Sequence, residues 1–269
     1  MSEVIIDFHA HVFEPDRASV VLADMGRRAR IPHYYDGTVA GLERAMDEAG
    51  VDLAVVSRIT TRAEQVDRVN RWLEGLRSPR IVPLATLHPD LPDPEAEVWR
   101  LRDAGFPGLK LHPDYQGFRV EEPRMFPVYR AAAEAGLFIL YHAGLDRGLP
   151  GYPVHATPRG LREVHERFPE LRVVAAHMGG EDVYEETTRV LLGTGVYLDT
   201  SFVLRKMPPE VLERFFERHG SRRIVFGTDY PWGHPAEDRR YLESLPYLTK
   251  TDRRRVLGGN ARELLGIGS

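Results

Sequence analysis

A chain of 269 residues, 42% of them hydrophobic, is long enough to bury one large core. Its formal net charge of −4 leaves no basic footprint for nucleic acid, and no basic run adjoins an apolar helix that would lie on a membrane. Cysteine is absent, which excludes disulfides and thiolate metal sites, so a bound metal has to be held by His, Asp, Glu or a modified Lys.

The opening MSEVIID lacks the charged and apolar regions of a leader peptide. No apolar run approaches the ~20 residues of a membrane span. These features imply a soluble cytoplasmic protein acting on a small molecule, with no nucleic-acid or membrane partner; a homo-oligomer remains open.

In chain order, the first apolar run is VIIDFHAH (4–11), which ends in two histidines where a buried strand would ordinarily carry Val or Leu. Residues 14–37 interrupt the pattern and read as an elaborated loop. TVAGLERAMDEAG (38–50) has helical periodicity and closes on Gly50, a residue suited to the left-handed position after a helix. DLAVVSRI (52–59), RIVPLATL (80–87) and GLKLH (108–112) are the next apolar runs. PRMFPVYRAAAEAG (123–136) is a further helix, closed by Gly136. LFILYHA (137–143), LRVVAAHM (171–178), GVYLDTS (195–201) and RIVFGTD (223–229) complete the apolar series, and TDRRRVLGGNARELLG (251–266) is helical.

Continuous apolar runs separated by helices predict a parallel sheet covered on its outer face. Eight such runs over this length match a single-domain (β/α)8 TIM barrel spanning 1–269, and a doubly wound open sheet is the rival. No Ser/Gly-rich linker divides the chain.

In a parallel barrel, catalytic groups project from the C-terminal ends of strands. The ends here carry His9 and His11, Lys110 and His112, His142, His177, Asp199 and Asp229. Side chains alternate along a strand, so His9 and His11 share a face and could converge on one divalent ion, with His142, His177 and Asp229 available from other strands. Taken singly, each has a plainer reading. Asp229 could cap a helix, Lys110 could pair with a carboxylate, and Asp199 could hold a loop. His33, His155, His165 and His219 read as solvated surface residues. Arg58 is the candidate for a substrate carboxylate, with a surface ion pair as the alternative. His112 and Trp232 are further substrate-facing candidates, and His88, Tyr115, Gln116 and His234 also follow strand ends.

DFHAH, GLKLHP, LYHAG, AAHMGG and FGTDYPW, in that order, resemble the amidohydrolase superfamily. The likeness is to the branch containing aminocarboxymuconate-semialdehyde and resorcylate-type decarboxylases. The resemblance implies His9, His11, His142 and Asp229 as metal ligands, with His177 orienting substrate or serving a second metal. It also implies Zn2+ or another divalent ion. One ion is the favoured count, and two follow if Lys110 is a bridging carbamate as in binuclear members.

The function expected first is a metal-dependent hydrolase, attacking a small amide, ester or lactone with metal-activated water. Asp229 would act as base and then acid, and His177 would support the oxyanion. The alternative is a metal-dependent decarboxylase or hydratase acting on a small carboxylic acid. A non-catalytic metal-binding barrel ranks last, because Asp229 is retained.

Overall fold

The computed structural model describes residues 4–149, 151 and 154–267. Its strands are β1 (Ile6–His11), β2 (Leu53–Ser57), β3 (Ile81–Pro83), β4 (Ala85–Thr86), β5 (Gly108–Leu111), β6 (Phe138–Tyr141), β7 (Val173–Ala175), β8 (Tyr197–Asp199) and β9 (Ile224–Val225). All neighbouring pairs are parallel, in the order β1-β2-β3 and β4 through β9. Strands β3 and β4 are two halves of one stave: Leu84 between them still donates its N–H to Val56 O at 2.8 Å. The ring closes where the chain beyond β9 meets β1. Phe8 N–H donates to Phe226 O at 2.7 Å, Asp229 N–H to His9 O at 2.8 Å and His11 N–H to Tyr230 O at 2.7 Å. The chain is therefore the eight-stave TIM barrel predicted, in place of the open sheet.

Alternation along the staves separates two cores. Ile6, Phe8, Val55, Leu84, Phe138, Leu140, Val174 and Val225 fill the barrel interior, with Ala261 and Leu264 of the C-terminal helix against them. The outward set, including Leu109, Leu111, Ile139 and Tyr141, packs under the surrounding helices. Each fully buried Leu, Ile or Phe contributes roughly 1.5–3 kcal/mol against the entropy of ordering the chain.

One irregularity in this alternation builds the site. The β1–β2 register shifts between Asp7 and Ala10. Ile6 and Phe8 belong to the inner core, while Ala10 and Val12 belong to the outer one. The shift is a bulge that turns His9 and His11 inward together. Gly227 makes the room, since a Cβ there would lie 2.9 Å from His9 Cβ.

The helix Val39–Ala49 has Thr38 as its N-cap, accepting from Gly41 N–H at 3.0 Å, and Gly50 at φ 61° as its left-handed stop. Phe126–Glu134 follows a 3-10 turn over Pro123–Met125. The segment from Lys250 to Leu265 is helical throughout, with a π turn at Arg255–Gly259.

Two expectations are corrected. Residues 14–37 are not simply a loop: Pro15–Ala29 is a helix with Pro at its start, Asp16 in the first turn, Arg27 and Arg28 in the last, and Ala18 and Leu22 buried. Its apolar stripe is narrow and interleaved with charge, which masks the period. Strands β7, β8 and β9 are also shorter than the apolar runs, so His177 and Asp229 lie just past strand ends instead of on them. Among the described residues no helix is long and apolar enough to cross a membrane.

Candidate metal centre and substrate cavity

At the C-terminal ends of the staves lies a cavity of about 270 Å³ lined by, among others, His9, His11, Lys110, His142, His177 and Asp229. Its floor is braced from below. His9 Nδ1 is 2.7 Å from Asp199 Oδ2 and 2.9 Å from Ser201 Oγ. His11 Nδ1 is 3.2 Å from the carbonyl of Ser57. Carbonyls and carboxylates only accept, so each Nδ1 carries the proton and each Nε2 presents a lone pair.

Those two Nε2 atoms are 3.1 Å apart, and Asp229 Oδ1 lies 3.3 Å from His11 Nε2 and 3.6 Å from His9 Nε2. Burial, reinforced by the charge of Lys110, pushes His9 down to about 4, so it is neutral at pH 7. Two lone pairs and a carboxylate oxygen converging on one point repel each other unless a cation lies between them. With each Nδ1 anchored by a protein acceptor, this is a donor set that fits a divalent ion.

A second group comprises His112, His142 and Asp146. His112 Nε2 is 2.8 Å from Asp146 Oδ2, and the His112 and His142 rings stack at 4.1 Å with 6° between planes. His177 Nδ1 is 3.1 Å from Ser201 O and its Nε2 is 3.1 Å from His142 Nδ1. The proton order follows: His177 donates to Ser201 O and His142 donates to His177 Nε2, which leaves His142 Nε2 a buried, unpartnered lone pair. Burial pushes both His112 and His142 well below the ordinary histidine value. His142, read from sequence with His9 and His11, stands in this second group and reaches the first through His177, whose ring stacks on His9 at 5.5 Å.

The turns that carry these groups are strained. His177 and Met178 sit at φ 56° and 54°, and Asp229 at φ 64°, in the left-handed region that costs a non-glycine residue about 1 kcal/mol or more. Asp199 Oδ1 holds the first turn by accepting from His177 N–H at 3.0 Å and Ser201 N–H at 3.0 Å. Asp199 thus braces two histidines. Asp229 caps no helix, since the helix that follows begins at Pro235.

Lys110 is 1% exposed, with Nζ 2.9 Å from His9 Nε2. Among the described residues no carboxylate lies within ion-pair distance of it, and burial pushes it down to about 8. Arg58 lines the cavity but is ion-paired with Glu14 and lies over Phe13 and Trp72. Trp232 and Tyr115 also line it, whereas Gln116 is a buried clamp joining Leu87 O and His112 N–H. His88 Nδ1 accepts from the N–H of Asp90 two residues on, and His234 bonds Tyr35 from across the chain. Of the histidines read as solvated, His33 is exposed but His155, His165 and His219 are half-buried. Sequence reading missed Asp146, Ser201 and Glu14. An acid four residues beyond His142 in LYHAGLDRG was the available signal for the first; the others depend on distant packing.

The fold and this centre define a member of the amidohydrolase family, and residues 6–267 match that family. The chain belongs to it. Over 211 residues it is 25% identical to 2-amino-3-carboxymuconate-6-semialdehyde decarboxylase of Dictyostelium discoideum, a match covering 64% of this chain and 58% of that protein's length. The crystal structure of 5-carboxyvanillate decarboxylase from Sphingomonas paucimobilis aligns over 99% of this chain and 100% of its own, with TM-score 0.73 and 19% identity. Dihydroxybenzoic acid decarboxylase from Polaromonas sp. JS666, with bound manganese and 2-nitroresorcinol, aligns over 99% of this chain and 98% of its own, with TM-score 0.74 and 17% identity.

Proposed function

We propose that this protein is a metal-dependent carboxy-lyase that removes CO2 from a small carboxylic acid. The observation that carries the reading is Lys110, a fully buried amine beside the three-ligand group that has no carboxylate within ion-pair distance among the described residues. A buried ammonium without a counter-charge is costly, and a substrate carboxylate supplies what the protein withholds. A neutral amide, ester or lactone does not. The decarboxylase names of the relatives support the same choice, so the hydrolase expected first has the weaker support.

His9, His11 and Asp229 would hold the metal, and His142 Nε2, in the neighbouring group, is left to meet the substrate. When bound, the metal would act as a Lewis acid on the substrate's oxygens. Lys110 then draws the carboxylate to the cavity floor. Loss of CO2 breaks a C–C bond and leaves the electron pair on carbon, so one proton has to arrive there. Asp229, at the floor, is the assigned carrier: its carboxylate takes a proton from water entering the cavity and hands it to that carbon, returning to the ionised form. His177, its Nδ1–H fixed on Ser201 O, orients the substrate edge beside His142.

The test is CO2 release, with metal content measured on the same sample, across a panel of aromatic and unsaturated acids set against matched amides, esters and lactones. Turnover of acids with stoichiometric CO2 is expected. Hydrolysis of the neutral panel without CO2 release would return the protein to the hydrolase reading.

A further inference from the structure

Besides Lys110, the cationic side chains lining the cavity among the described residues are Arg58 and Arg147. Both are already matched. Arg58 is paired with Glu14, which also lies 3.6 Å from Arg68 Nη1. Arg147 donates from Nε to Glu181 Oε1 at 2.9 Å and from Nη2 to Asp182 Oδ2 at 2.7 Å. His112 is likewise committed to Asp146.

Much of the rest of the wall is apolar, with Thr61 and Tyr115 as its hydroxyl-bearing members. Val21 and Met25 of the helix Pro15–Ala29 line the cavity together with Ile31, Ile59, Phe202 and Trp232. Among the described lining residues a negative group placed against this wall would meet no cation without a carboxylate partner, since Lys206 lies behind the wall with its Nζ over the Phe202 ring, and the group would approach Glu181 and Asp146, both of which line the same space. Desolvating a carboxylate without a partner is strongly unfavourable.

We infer that the substrate carries a single negatively charged group on an apolar body, and that the Glu14–Arg58 pair is the specificity element that rejects a second carboxylate. The place of the first carboxylate rests on the carboxy-lyase reading; the charge count and the selecting pair do not. Neutralising Glu14 would free one guanidinium on the cavity wall, a group whose fork suits a carboxylate.

Calorimetric binding to the metal-loaded protein tests this with two acids that differ only in one substituent, 3-methylbenzoate and isophthalate. The unmodified protein should bind 3-methylbenzoate at least about 10-fold more tightly. Glu14→Gln should narrow that ratio by about 5-fold or more, chiefly by strengthening isophthalate. The first comparison needs no variant, so it stands even if Glu14→Gln folds poorly. Equal or tighter binding of isophthalate by the unmodified protein, or binding of neither acid, would overturn the inference. An unchanged ratio in a folded Glu14→Gln protein would overturn the role of the pair. If the selectivity holds but no acid releases CO2, the carboxy-lyase reading fails and this inference survives. If CO2 is released and the selectivity is reversed, only this inference fails.

Discussion

The two histidine groups at the barrel mouth contain the same residue types and differ in how their protons are committed. In the first, His9 and His11 are each anchored through Nδ1, so both Nε2 lone pairs meet each other and Asp229. In the second, the rings of His112 and His142 are stacked and His112 Nε2 is already bound to Asp146. Parallel rings direct their lone pairs alongside each other and not toward a shared point. The difference teaches that the groups behind the imidazoles, here Asp199, Ser201 and the carbonyl of Ser57, decide which cluster of histidines presents a donor set that fits a metal.

The comparison breaks most severely at Asp229, which belongs only to the first group. Asp229→Asn keeps the shape and one oxygen but cannot carry a proton. Turnover should fall by about 10³-fold or more while the melting temperature stays close to that of the parent protein. Parallel loss of activity and stability would instead mark Asp229 as a structural residue.

Elemental analysis compares the groups directly. His9→Ala and His11→Ala should each drop metal content well below the parental level, and His112→Ala should retain it. One ion per chain is expected in the unmodified protein. Two ions in protein purified with bicarbonate and excess metal, falling to one in Lys110→Ala, would establish the bridging-carbamate arrangement and assign the second group a metal of its own.

A smaller effect isolates the brace. Asp199→Asn leaves every ligand in place but weakens the acceptor that orients His9, so chelator competition should show metal affinity reduced by about 10–100-fold, with activity restored by added metal. Unchanged affinity would mean that His9 is held by Ser201 alone.

The mildest prediction concerns pH. Lys110, lowered by burial to about 8, attracts a carboxylate only while protonated. Acid binding should therefore be strongest below that value and weaken as pH rises through about 8, whereas Lys110→Met should bind more weakly at neutral pH and lose that step. Titration calorimetry with 3-methylbenzoate between pH 6 and 9.5 follows it. A step that persists in Lys110→Met belongs to another group.

The barrel and most of the mouth residues were legible because their signals are local. Continuous apolar runs, glycines after helices and polar residues at run ends follow from covalent geometry and the hydrophobic effect alone. The helix Pro15–Ala29 was less legible because its stripe is thin, and the bulge in β1 was invisible because it exists only in the pairing with β2.

Which histidines act together was a matter for the tertiary structure. The sequence by itself determined a parallel barrel and put imidazoles, a lysine and carboxylates at one rim. It could not specify that Asp199, 190 residues from His9, would orient that ring, or which of the two readings of Arg58 holds: it pairs with Glu14, 44 residues away. A proton's position on an imidazole and the charge of a buried side chain are fixed by the nearest donor or acceptor in space, and closure of the ring is what makes those neighbours.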